Sequence, residues 1–187
     1  MADRVKSWRL KQLQGLVTKA LEMKATLENL HAHPRVIHAI IEYGSWAEED
    51  VLQNMWAGLL ASSCTPDGTD DSNMIFIQIL SQLTRTEVML LDFLCRDGKK
   101  YLSRAERVHV SFQTDIHDLS DFIGDKDGYR IFRELDHLES LRLIEGWGRS
   151  NSQIGILSLT ITSLGLQLYI RGQGSTENPT TYFHLET

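Results

Sequence analysis

The chain has 187 residues, of which 42% are hydrophobic and 24% are charged, and its formal net charge is −6. This length suits one domain of ordinary size or two small ones. The acidic balance weighs against broad phosphate binding, which needs a basic surface, although it leaves room for a local basic patch. The apolar runs are too short to span a bilayer or to form an export signal, so no membrane partner is expected.

The chain begins with a long amphipathic helix, predicted over residues 5–31 because its apolar residues recur three and four positions apart. The stretch up to Arg35 holds all seven Lys and Arg residues found before Arg85, against three acids. The 49 residues between these two arginines hold seven acids and neither Lys nor Arg. We therefore expect the first helix to contact an acidic part of the chain or an acidic partner, and its basic character makes it a candidate for self-association.

Three shorter helices are predicted to follow. Pro34 suits the first position of the next helix, which Gly44 ends. Ser45 is a candidate cap for a third helix, from Trp46 to Cys64, whose first turn is acidic. A turn-forming loop then leads to a fourth helix over residues 73–83.

The segment WAGLLASS, residues 56–63, raises the question of a nucleophilic serine. The G-x-S-x-G elbow that exposes such a serine is absent, because Gly58 precedes Ser62 by four residues within one helix. At 100° per residue, the helix has bulky side chains on one side and small side chains on the other. We therefore expect a neighbouring backbone to approach the side with the small side chains. The residues predicted to form this packed core are Leu52, Trp56, Gly58, Leu59, Leu60 and Ala61.

From residue 84 onwards, helical and β-type patterns alternate. The predicted elements are a helix over about 85–94, a strand at 108–112, a helix capped by Thr114 or Asp115, a helix from about Tyr129, two β-type stretches around a polar turn at 148–152, and a last helix over 163–170. Three helices followed by a hairpin is the order of a winged helix.

The predicted fold is therefore mainly α with a small β-hairpin. A helical region over residues 1–83, made of the long helix and three shorter ones, precedes a winged-helix-like domain over residues 84–175. Residues 176–187 are predicted to be a polar tail.

A winged helix commonly reads DNA with its third helix, but here that helix carries as many acids as arginines and offers no clear basic footprint. Residues 84–187 as a whole are acidic, and acidic winged helices often serve as protein-binding modules. The candidate nucleic-acid contacts of this alternative are Arg130, Arg133, Arg149, Lys99 and Lys100.

The sequence offers no catalytic, metal or cofactor motif. An EF-hand register on the aspartates before Gly128 fails, because Ile123 would be its first ligand and has no side-chain oxygen. There is no HExxH, no zinc spacing, no P-loop and no dinucleotide fingerprint. The two cysteines, Cys64 and Cys95, are typical of reduced thiols in a cytoplasmic protein. We therefore expect no cofactor, no metal site and no enzymatic activity.

Two stretches resemble one bacterial protein family. The stretches are EYGSWAEEDVLQNMWAGLLASS and the following IFIQILSQLTRTEVMLLDFL. They are similar to the Abi-alpha (abortive infection alpha) family, whose Leu-Gln-x-Met-Trp-Ala-x-Leu-Leu-Ala block is here Leu52–Ala61. A Leu-x-x-Leu-Thr helix start follows at Leu80–Thr84. The resemblance covers about residues 34–172, although Arg142 stands where the family pattern has Gly.

The resemblance implies a role in phage exclusion and supplies no catalytic residue. The sequence therefore predicts a non-enzymatic, cytoplasmic antiphage protein that acts as a sensor or regulator through a protein partner or through self-association. The alternative is a winged-helix DNA-binding regulator of transcription, with nucleic acid as the less favoured partner.

Overall fold

The computed structural model describes residues 1–24, 30–103, 106–146 and 156–185. The chain is mainly helical, as predicted, and its strands form small antiparallel sheets that extend beyond the predicted hairpin. It divides into two compact units. The first unit comprises Met1–Arg85 and Ile170–Thr176, and the second comprises Thr86–Tyr169 and Glu177–Thr187.

The first unit is a cluster of helices with one minimal sheet. Its elements are α1 (Ala2–Met23), β1 (His31–Ala32), α2 (Pro34–Tyr43), a 3-10 turn (Gly44–Trp46), α3 (Asp50–Ser62), β2 (Cys64–Thr65) and α4 (Met74–Leu80). Pro34 occupies the first turn of α2, and the preceding His33 accepts a hydrogen bond from the Arg35 backbone N–H. Gly44 ends α2, as predicted.

The first helix is shorter than predicted. It ends at Met23, and Lys24 is already extended. His31, which the prediction included in the helix, pairs instead with Thr65 in the antiparallel β1–β2 ladder, where Ala32 pairs with Cys64. A ladder between segments this far apart in sequence leaves no trace in helical periodicity, which explains the error.

The predicted start and end of the third helix are also wrong. Ser45 lies buried in the 3-10 turn, where its hydroxyl accepts a hydrogen bond from Arg9 Nε at 2.8 Å. Helix α3 begins at Asp50, and the carboxylate of that residue lies 2.9 Å from Lys19 Nζ. Lys19 is in α1, so the basic first helix does contact the acidic segment that follows it, as expected from the charge distribution.

The second unit combines helices with a four-stranded antiparallel sheet. Its elements are α5 (Arg85–Asp97), β3 (Lys99–Leu102), β4 (Val108–Asp115), α6 (Ile116–Ile123), α7 (Gly128–Ser140), β5 (Ile144–Glu145), β6 (Ile156–Ile161), α8 (Ser163–Gly172) and α9 (Pro179–Tyr182). The strand order is β3-β4-β6-β5. By their contacts, the first residue of α5 and the last three of α8 belong to the first unit.

Side-chain caps set the starts of two helices in this unit. Asp115, rather than Thr114, caps α6 by accepting hydrogen bonds from the His117 and Asp118 backbone N–H groups, both at 2.8 Å. Asp127 caps α7 in the same way. The predicted hairpin exists as the pair β5–β6, and its polar turn at 148–152 lies outside the described residues.

The segment predicted as a polar tail contains a short helix. Asn178 caps α9 by accepting a hydrogen bond from the Thr181 backbone N–H, and Pro179 occupies its first turn. Tyr182 packs edge-on against Tyr169 of α8. The aromatic contact explains why a mostly polar segment folds back onto the second unit.

Candidate interaction surface

The small side of α3 is covered by backbone. A Cβ added to Gly58 would overlap the carbonyl group of Gly172 at the end of α8. A Cβ added to Gly172 would in turn overlap the side chain of Met55. The close approach predicted for this side of the helix is therefore present. Of the predicted core residues, Trp56, Gly58, Leu59 and Ala61 are buried, whereas Leu52 and Leu60 are only partly buried.

The two serines at the end of α3 belong to a buried polar network. Ser62 Oγ donates to the Arg171 carbonyl oxygen at 3.0 Å, and Ser63 Oγ donates to the Leu59 carbonyl oxygen at 2.6 Å. Asn73 Nδ2 donates to both hydroxyl oxygens, at 2.9 Å and 2.8 Å. Among the described residues, neither hydroxyl bonds to a histidine or a carboxylate, so this arrangement provides no general base.

Sequence reasoning did not single out Asn73, which organises this network. It immediately precedes α4, and its side chain is almost fully buried. Its Oδ1 atom has no hydrogen-bond partner in the described part of the chain. An asparagine before a helix usually indicates an exposed cap, so nothing in the pattern reveals that this one faces inward.

The two thiols are poor nucleophiles. Cys95 is fully buried and Cys64 is half-buried, and both are free cysteines. Burial raises the pKa of the Cys95 thiol well above its ordinary value, and it also raises the pKa of Cys64. A thiol needs to ionise before it attacks, so neither environment favours covalent chemistry.

The second unit contains a buried acid that contacts a histidine. Glu87 of α5 is fully buried, and its Oε1 lies 2.5 Å from His137 Nδ1 of α7. Glu134, also buried, lies 3.0 Å from Arg133 and 3.9 Å from Arg130. Both carboxylates therefore have cationic or ionisable neighbours within the unit, which is the usual requirement for burying an acid.

The candidate nucleic-acid contacts are mostly engaged with other groups. Arg130 also pairs with Asp125 at 2.9 Å, so both described arginines of α7 contact acids. Lys100 donates to the Arg96 carbonyl oxygen, whereas Lys99 is exposed on β3. Arg149 lies outside the described residues. The arrangement does not present α7 as a row of free arginines.

No metal centre is formed in the described ranges, where no group of three or more His, Cys, Asp or Glu residues is placed to hold an ion. The aspartates considered for calcium have structural roles instead. Asp125 accepts hydrogen bonds from the Asp127 backbone N–H and from Arg130, and Asp127 caps α7. Within the same ranges, no helix combines the length and the apolar character that crossing a bilayer requires.

An exposed apolar surface runs along α1 and α2. The α1 side chains Leu10, Val17 and Leu21 remain 52%, 43% and 51% exposed. On α2, Ile37 and Ile41 remain 41% and 46% exposed. Ile41 lines one groove with Leu10 and Leu13, and Ile37 lines a second groove with Val17 and Leu21. We call this surface the α1/α2 face and define it by these six side chains.

Exposed aliphatic residues are common one at a time, but a contiguous set on two neighbouring helices usually marks a contact site. The cationic side chains nearest to it are partly engaged. Arg9 bonds to Ser45 and to the Ile41 carbonyl oxygen and lies 4.6 Å from the centre of the Trp46 ring. The α1/α2 face is therefore the strongest candidate for a functional site in the described chain.

The model that describes the abortive infection alpha family matches residues 6–168. The chain belongs to the abortive infection alpha family. Searches of curated proteins and of solved structures found no significant match. The match extends the resemblance expected over residues 34–172 toward the N-terminus, so α1 lies almost entirely within the Abi-alpha region.

Both the buried core around Gly58 and the α1/α2 face thus belong to the Abi-alpha region. The block Leu52–Ala61, which carried the resemblance, forms most of α3. This helix contacts α1, whose side chains Leu16 and Ala20 are buried. The part of the family pattern with the clearest sequence signal is therefore scaffold that supports the exposed face.

Proposed function

We propose that this Abi-alpha protein defends bacteria against phage by abortive infection and that it acts in the cytoplasm through protein contacts, as a sensor or regulator, rather than by catalysis. Family membership supports the abortive-infection role. The observation that carries the mechanism is the α1/α2 face, an exposed apolar surface formed by side chains of two helices. The two free thiols support a reducing compartment.

The polar groups support a non-catalytic mechanism. The hydroxyls of Ser62 and Ser63 bond to backbone carbonyls, and burial raises the pKa of both thiols. These groups stabilise the fold and are not placed to attack a substrate. Variants Ser62→Ala and Ser63→Ala are expected to retain phage protection, and loss of protection by a variant with unchanged thermal stability would contradict the proposal.

The test of the contact mechanism is a plaque assay in a phage-sensitive bacterial host that expresses the full chain. The wild-type chain is expected to lower plaque number for at least one phage of a diverse panel. The double variant Leu10→Glu/Val17→Glu is expected to abolish this protection, because two charges disrupt the α1/α2 face. Ile75→Glu is the matched control, since Ile75 is also an aliphatic residue 53% exposed but lies on α4.

Protein level and thermal stability of each variant are measured in parallel, so that a folding defect is recognised. Full protection by the double variant would contradict the contact mechanism. Equal loss of protection in the Ile75→Glu control would do so as well, because the effect would then not depend on this face.

We further propose a winged-helix-like arrangement for the second unit. Its support is that α5, β4, α6, α7, β5 and β6 follow one another in this order, with the additional strand β3 between α5 and β4, and that β6 pairs with both β4 and β5. The DNA-binding alternative predicts salt-dependent affinity that is lost on charge reversal of Arg130, Arg133 and Arg149. Because Arg130 and Arg133 contact acids, we expect no DNA affinity at low salt. Salt-dependent binding would favour the alternative.

A further inference from the structure

The exposed side of α1 has a seven-residue periodicity. Asp3, Leu10 and Val17 lie on one side of α1 at this spacing, and Lys24, the half-buried cap residue that follows the last turn of α1, continues the spacing. The two central residues are apolar and belong to the α1/α2 face. The two outer residues have opposite charges, and neither forms an ion pair within the described chain.

When two copies of this series run in opposite directions, each charged end faces the opposite charge and each apolar residue faces the other apolar residue. In an antiparallel pair of α1 helices whose two-fold axis passes between residues 13 and 14, Asp3 of one copy lies opposite Lys24 of the other. Leu10 of each copy then lies opposite Val17 of the other. A two-fold contact requires this kind of reciprocity, because each residue meets its counterpart twice.

We propose that the α1/α2 face binds a second copy of this chain, with the two α1 helices antiparallel in this register. Ile37 and Ile41 of α2 widen the contact on either side of the axis. The inference deepens the proposed function and rests on it, since it names the protein that the face contacts.

Charge favours a second copy over an anionic membrane surface. The net charge of the chain is −6, and two of the five α1 cations, Arg9 and Lys19, bond to groups of the same unit. A helix that lies on anionic lipid instead presents a continuous cationic face. The self-pairing register uses both Asp3 and Lys24, whereas anionic lipid would repel Asp3.

The size of the face indicates a weak, reversible contact. Helix α1 is 22 residues long, or about 33 Å, so with α2 beside it the face covers on the order of 500 Å² per copy. The dimer would bury about 1,000 Å² in total, which is near the lower limit of specific interfaces. We therefore expect a reversible dimer that dissociates on dilution.

Sedimentation equilibrium of the full chain over a hundredfold range of concentration tests the proposal. The mass is expected to rise from 21.3 kDa toward twice that value. Leu10→Glu/Val17→Glu is expected to raise the dissociation constant at least about 100-fold, and Ile75→Glu is expected to leave it unchanged. A chain that stays monomeric at every concentration would overturn the proposal, as would a dimer unaffected by the double variant.

A charge exchange tests the register. Asp3→Lys alone is expected to raise the dissociation constant about fivefold, because it places like charges at both ends of the contact. Asp3→Lys/Lys24→Asp is expected to restore the wild-type value. Both changes oppose the helix dipole of α1, so a recovery cannot come from helix stability. Failure of the second change to restore dimerisation would reject the antiparallel register.

Two further measurements separate this proposal from the proposed function. Suppose that the wild-type chain is monomeric and that Leu10→Glu/Val17→Glu still abolishes phage protection. The face then binds another protein, so the dimer is rejected and the proposed function stands. If the chain forms the dimer and the double variant disrupts it without loss of phage protection, the proposed function alone is rejected. Binding of a monomeric chain to vesicles of anionic phospholipid would assign the face to a membrane and overturn the dimer.

Discussion

Gly58 of α3 lies directly against the carbonyl group of Gly172, at the end of α8. The contact is so close that a Cβ on Gly58 would overlap that group. A Cβ on Gly172 would in turn overlap the side chain of Met55, which also belongs to α3, so both glycines lie at the same close contact. The contact joins the segment Ile170–Thr176 to the helices of the first unit.

Replacing Gly58 by alanine is expected to lower the free energy of unfolding by about 2–3 kcal/mol, because overlap with backbone outweighs the gain of ~1 kcal/mol in helix propensity. Gly15→Ala is the matched control, since Gly15 lies in α1 and its added Cβ would meet Gln53 at an ordinary 3.6 Å. Urea denaturation of both variants measures the difference. Equal stability of the two variants would contradict the close packing.

Replacing Asn73 by alanine is expected to destabilise the first unit by about 1–3 kcal/mol, because the buried hydroxyls of Ser62 and Ser63 lose their donor. Ser81→Ala removes an exposed hydroxyl that bonds to the Gln78 carbonyl oxygen, and it is expected to change stability by less than about 0.5 kcal/mol. Thermal unfolding monitored by circular dichroism compares the two. An Asn73→Ala protein as stable as the control would show that the network contributes little.

The contact between Glu87 and His137 is expected to show energetic coupling in a double-mutant cycle. With alanine at each position, a coupling of about 1–3 kcal/mol is expected, because Glu87 is fully buried. The more exposed pair Arg96–Asp92 serves as the control cycle and should give about 0.3–0.5 kcal/mol. Similar coupling in both cycles would mean that burial adds nothing to the Glu87–His137 contact.

The two cysteines are expected to differ in reactivity toward a disulfide reagent. In the native protein Cys64 should react slowly and Cys95 should not react, because burial raises the pKa of both thiols and Cys95 is fully enclosed. The rate at Cys64 should increase with pH as its thiol ionises. Denaturant should make both thiols reactive, and Cys64→Ser should remove the native reaction. Rapid reaction of both thiols in the native protein would contradict the burial of Cys95.

The loop carboxylate of Asp67 is expected to titrate near pH 2. Hydrogen bonds from the hydroxyls of Thr69 and Thr65, at 2.6 Å and 2.8 Å, lower the pKa of Asp67 from 3.8 to about 2. Since the folded pKa is the lower one, this carboxylate stabilises the fold fully above pH 3.8, and that contribution is lost as the pH falls through about 2. Carboxyl NMR signals measure the midpoint, which Thr69→Val should raise and Thr18→Val should leave unchanged.

Local chemistry was sufficient to predict many element boundaries. Pro34 starts α2 and Asp115 caps α6, because both act on backbone groups within three residues. The same kind of reasoning failed at Ser45, since the side chain that binds its hydroxyl, Arg9, comes from another helix. Helical periodicity likewise did not indicate that His31 pairs with Thr65.

By itself, the sequence determined the helical character, the family block Leu52–Ala61 and the unequal sides of α3, because periodicity, capping and residue size act over a few neighbouring positions. Only the tertiary structure decided which backbone fills the space beside Gly58, that Asn73 and Glu87 face inward, and that Leu10 and Val17 stay uncovered. An apolar stripe looks the same in sequence whether or not another element covers it. Burial depends on the three-dimensional arrangement of distant segments, which no local pattern contains.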